Sequence, residues 1–83
     1  MSIQEKCKLA ADLLKIDIKE IEEYSGIIEE ISALYVSIPV KGGDSLIVGD
    51  DGSVLYACSA VDYDRHLEAF KAGKRTPIEA FRV

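Results

Sequence analysis

Between residues 33 and 40 the chain reads ALYVSIPV, with apolar side chains at every second position. Leu34, Val36, Ile38 and Val40 alternate with Ala33, Tyr35, Ser37 and Pro39. A period of two puts the two sets on opposite faces of a pleated strand, whereas a helical stripe repeats every three to four residues. Pro39 cannot donate to a β-ladder, so the strand ends there or lies at an edge. One strand needs neighbours to satisfy its backbone, and the next twenty residues provide them. Lys41-Gly42-Gly43-Asp44 is a turn, and residues 45–49 and 53–59 read as a second and a third strand. Gly49-Asp50-Asp51-Gly52 between them is a hairpin signal, because Asp tolerates the turn geometry and Gly supplies a positive φ without steric cost. On the third strand Val54, Tyr56 and Cys58 share one face and Leu55, Ala57 and Ser59 the other. Both faces are apolar enough to need cover: helices on one, and on the other a partner chain.

The flanks are helical. Ser2 and Glu5 form a capping box ahead of an apolar run, and Ile3, Cys7, Ala10, Ala11 and Leu14 recur at helical spacing, widened by Leu9 and Leu13. This predicts a helix over 3–15. Asp17, with Glu20 three positions later, opens a second, short helix, with Ser25-Gly26 as its end. Residues 27–31, with paired isoleucines and paired glutamates, fit a helical turn or the start of a strand equally well. After the sheet, Asp62 or Ser59 caps a helix over 63–72, anchored by Leu67 and Phe70 and stopped by Gly73. Thr76, Pro77 and Glu79 then carry the cap, the first-turn proline and the box partner of a final short helix. The expected fold class is α+β: N-terminal helices, a three-stranded antiparallel β-meander, a C-terminal helix and a short final helix, in a single globular domain spanning residues 1–83.

Charge narrows the functional classes. The chain carries 10 Lys/Arg against 15 Asp/Glu, a net charge of −5, and residues 1–62 hold twelve of the acids but only five of the bases. A negative body repels phosphate backbones, so nucleic acid is not an expected partner. Apolar stretches fall far short of the roughly 20 residues of a membrane helix, and the N-terminus mixes acids and bases where a signal peptide would run apolar. The expected location is cytoplasmic, with Cys7 and Cys58 reduced.

No catalytic or metal-binding set assembles on paper. Gly73-Lys74 resembles the end of a phosphate-binding loop, but Glu68 stands where that loop needs glycine and Arg75 where it needs Ser or Thr. Cys58, His66 and Asp62 or Asp64 contain the residue types of a thiol catalytic set without its surrounding signature. A strand cysteine is more often a small buried hydrophobe, and His66 reads as a partly exposed helix residue with Asp62 as its natural partner. Asp44, Asp50, Asp51, Asp62 and Asp64 lack calcium-loop spacing, and Cys7, Cys58 and His66 lack zinc spacing. Glu20, Glu22, Glu23, Glu29 and Glu30 form an acidic run that reads as a solvated face or as a surface for a basic partner. No metal and no cofactor is expected. The sequence-level expectation is a small acidic, non-enzymatic protein-interaction module that associates with itself. The alternative is a small-ligand or anion-binding domain using Lys74, Arg75, Arg65 and Tyr63. Of these, Lys74 and Arg75 lie past a helix end, where cations favour its dipole, but have no full structural explanation, so reversing both charges is expected to leave folding nearly intact.

Overall fold

Four strands form the centre of the molecule, in a computed structural model that describes residues 1–39, 43–58 and 60–81. They are β1 (Ser25–Ile28), β2 (Ala33–Ser37), β3 (Ser45–Val48) and β4 (Val54–Ala57), paired antiparallel in chain order. The α+β class holds, with one strand more than the period-two pattern announced. The extra strand comes from the region that sequence left undecided. Ser25-Gly26 does not end the second helix but opens β1, and 29–31 is a 3-10 turn leading into β2. Proline placement agrees with the reading: β2 stops before Pro39. The expected continuation to Val40, the first half of the turn at 41–44 and Ser59 as a cap lie outside the described residues.

The helices are α1 (Ile3–Leu14), α2 (Ile18–Glu23) and α3 (Tyr63–Lys71). Ser2 and Glu5 complete the expected capping box on α1, each reaching the other's backbone N–H. Asp17 caps α2 through the amide of Lys19, two residues on rather than three. Asp62 caps α3 through the amide of Arg65, and Gly73 follows that helix with φ 95°.

Strand register sorts the core into two layers. Leu34 lies opposite Val48, Val36 opposite Leu46, and Val48 opposite Val54. These side chains share one face, and Cys7, Ala10 and Leu13 of α1 with Ile21 of α2 cover it. Ile78 and Phe81, from the 3-10 turn Ile78–Phe81, pack at its margin. On the opposite face Ile28, Ala33 and Ile47 meet Phe70 of α3, with Leu55 and Leu67 beside them. That second face, expected to await a partner chain, is covered by the chain's own third helix. A three-layer arrangement follows, with helices on both sides of one sheet.

The two edges of the sheet are treated differently. At β4, the amide of Thr76 donates to Val54 O at 2.8 Å, and the Thr76 hydroxyl accepts from Tyr56 N at 2.9 Å. Thr76 was expected to cap the final helix; instead it satisfies backbone groups that β4, as an edge strand, would leave unpaired. At β1 no such cover exists among the described residues.

Candidate functional site

The sequence-derived residues do not converge. Tyr63 and Arg65 sit in the first turn of α3, and Lys74 and Arg75 lie beyond its last residue. Nine residues at 1.5 Å rise separate the two pairs by a helix about 13 Å long. Tyr63 presses its ring edge-on against Tyr35, with centroids 4.8 Å apart. Arg65 and Lys74 are exposed.

Arg75 has a structural duty after all. Its Nε donates to Ser53 Oγ, and its Nη1 donates to Phe70 O and Lys74 O, each at 2.7 Å. The guanidinium carbon lies 3.5 Å from the centre of the Phe70 ring, a cation–π stack. Ser53 in turn donates its hydroxyl and its amide to Asp51 Oδ1. Those bonds hold the Asp51 carboxyl below its ordinary pKa, with a smaller contribution from the Arg75 charge. Arg75 therefore latches the hinge after α3 to the β3–β4 turn.

An open groove of about 460 Å³ runs beside this latch, lined by Ile31, Gly49, Asp50, Asp51, Phe70, Lys71 and Arg75. Two carboxylates share it with the two cations. Lys71 is already paired with Glu30 at 2.9 Å, and three Arg75 bonds are spent inside the protein. An entering anion meets Asp50 and Asp51 as readily as it meets the cations.

His66 is the clearest departure from its sequence reading. It is buried, with 1% of its surface exposed, and its Nε2 lies 2.7 Å from Leu55 O rather than near Asp62. A carbonyl only accepts, so Nε2 carries the proton and Nδ1 holds the lone pair. Nδ1 is buried with no hydrogen-bond partner among the described residues. Burial therefore pulls the imidazole below its ordinary pKa, against a smaller opposing effect of the Leu55 carbonyl. Such a histidine stiffens the packing of α3 on β4 and presents no base to a substrate. Cys58 is exposed and Cys7 buried, both as free thiols, and burial raises the Cys7 pKa. Asp50 faces Lys6 rather than another carboxylate. Among the described residues no group of three or more His, Cys, Asp or Glu side chains gathers for a metal, and no helix is long and apolar enough to cross a membrane.

What sequence reasoning missed is β1 and its surroundings. In the register Gly26 lies opposite Tyr35, and the amide of Ser37 donates to Tyr24 O two pairs further along. Hydrogen-bonded pairs alternate in an antiparallel ladder. Gly26 and Ile28 therefore bond β2, while the N–H and C=O groups of Ser25 and Ile27 point away from the sheet. No backbone hydrogen bond reaches those groups among the described residues. Ile27 is 56% exposed, the most exposed large apolar side chain among the described residues, and Ile3, expected in the buried stripe of α1, is 41% exposed. Both line a groove of about 390 Å³ with Lys6, Glu29, Ser32 and Asp50. Lys6 forms its floor: its side chain is 3% exposed, and its Nζ donates to Ser32 O at 2.6 Å and lies 3.2 Å from Asp50 Oδ1. Around the edge, residues 17–32 carry six carboxylates and one lysine. The paired isoleucines of 27–31 were the available signal: Ile27 is exposed and Ile28 buried, as a half-covered strand requires.

No family model, curated protein or solved structure matches the chain.

Proposed function

We propose that this chain is a non-enzymatic protein-interaction module that docks its partner along the acidic β1 side. The observation carrying this reading is the open edge with its exposed Ile27, in a chain whose own helices already cover both faces of the sheet. An unpaired strand edge is a template for another chain, and proteins that do not use it shield it with proline, lysine, a bulge or a loop. Thr76 shields β4, while among the described residues β1 has none of these devices along Ser25–Ile28. The burial of His66 further supports a non-catalytic role, because the chain's one histidine is already committed to Leu55.

Affinity capture from the native host with the natural chain and an Ile27→Asp variant tests this reading. A specific protein is expected on the natural chain and not on the variant, with both chains equally folded by circular dichroism. Failure of the natural chain to retain any protein contradicts it. So does stabilisation by phosphates, nucleotides or carboxylates in a thermal-shift screen, which would favour the small-ligand alternative, since a ligand of the native state raises stability by mass action.

A further inference from the structure

Resting on that reading, we infer that the partner docks as an extended, basic segment that adds a fifth strand to the sheet at β1. Backbone geometry gives the mode. Ser25 and Ile27 each present an outward N–H and C=O, the alternating pattern that an added strand satisfies. Side chains give the chemistry. Ile27 lies on the same face as Leu34, its cross-strand neighbour, and continues that apolar face past the edge of the sheet toward Ile3. An added strand thus places an apolar residue beside Ile27 and the groove. Glu22 and Glu23 precede the strand, and Glu29 and Glu30 follow it, all exposed. Glu30 is partly answered by Lys71, whereas Glu22, Glu23 and Glu29 form no salt bridge among the described residues. Lysine or arginine on both sides of the apolar contact matches this arrangement.

The same charges disfavour a second copy of this chain as the occupant. A two-fold antiparallel pairing that sets Ser25 opposite Ile27 of the other copy also brings Glu23 toward Glu29 and Glu22 toward Glu30 across the interface. Opposed like charges destabilise strand pairs. A cationic strand removes that repulsion, and the interaction weakens with salt because the carboxylates are exposed.

A displayed library of random peptides of about ten residues, a little longer than one strand, supplies the probe. Enriched sequences are expected to be rich in Lys and Arg around a central apolar residue. Their binding is expected to fall about tenfold or more with Ile27→Pro, because proline removes only an outward donor and blocks an incoming strand. N-methylation of alternate peptide amides, which leaves the protein unchanged, is expected to abolish binding on one set of positions and spare it on the other. The combined charge variant Glu22→Lys, Glu23→Lys, Glu29→Lys is expected to reverse the peptide preference. Enrichment of acidic or helical peptides, indifference to backbone N-methylation, or no enrichment at all overturns the inference. Sedimentation as a dimer that Ile27→Pro dissociates also overturns it, by making a second copy the occupant. A host protein captured by the natural chain but insensitive to Ile27→Pro overturns strand addition and leaves the interaction reading standing.

Discussion

Lys74 and Arg75 are neighbours of the same charge, yet the structure gives them opposite roles. Arg75 is stacked on Phe70 and bonded to Ser53 and two carbonyls, while Lys74 projects into solvent. Arg75→Ala is expected to lower unfolding stability by about 1–2 kcal/mol through loss of charged hydrogen bonds and the stack, and Lys74→Glu to change it by less than about 0.5 kcal/mol. Chemical denaturation of the two single variants separates the roles. The expectation that reversing both charges is harmless therefore does not survive for Arg75. No spacing rule reveals an arginine folding back onto a ring five residues earlier. His66 makes stability depend on pH. Its folded pKa lies below the unfolded value near 6.5, so the folded state binds the proton less readily than the unfolded chain. The full contribution is therefore present above about pH 6.5 and is lost as pH falls from there through the folded pKa. Denaturation curves at a series of pH values should show this loss before the carboxylates titrate, and His66→Gln, which keeps a donor for Leu55, should flatten that part of the profile.

At the scale of elements, the turns and edges are where side chains decide the fold. The β3–β4 turn is closed by Gly49 N to Ser53 O at 2.7 Å and by Gly52 N to Gly49 O at 3.1 Å, with Gly52 at φ 86°. Gly49 has a different reason to be glycine: a Cβ there would stand 2.9 Å from Phe70 Cζ. Gly49→Ala should cost about 1–3 kcal/mol by pushing the Phe70 ring out of its seat, measurable as a lowered Tm. Thr76→Val removes the acceptor for Tyr56 N and should cost about 0.5–1 kcal/mol. Periodicity and caps made α1, α3, β2, β3, β4 and the hairpin legible, because each carries its own local signal. They left β1 obscure. A four-residue strand whose pattern is one exposed and one buried isoleucine between glutamates is too short for any period to establish itself. Its identity is fixed by pairing with β2, a contact that no local pattern encodes. Thr76 was misassigned for a related reason: its local sequence is a good helix cap, but β4's edge needs its hydrogen bonds more.

At the scale of the whole molecule, the arrangement leaves one side unfinished. Helices close both faces of the sheet, and Thr76 closes β4. The acidic run, read from sequence as a solvated face or a surface for a basic partner, flanks the strand that no described residue covers. Little of this site was legible beforehand: the residues chosen from sequence fall at both ends of α3, while the open edge arises only once four strands are ordered. Amide hydrogen exchange at Ser25 and Ile27 reports on the open edge itself. In the free protein both amides should exchange far faster than those of Gly26 and Ile28, which bond β2, and a bound basic segment should slow both. Unchanged exchange at Ser25 and Ile27 while the segment is bound would contradict strand addition at β1, and protection already present in the free chain would show that the edge is not open.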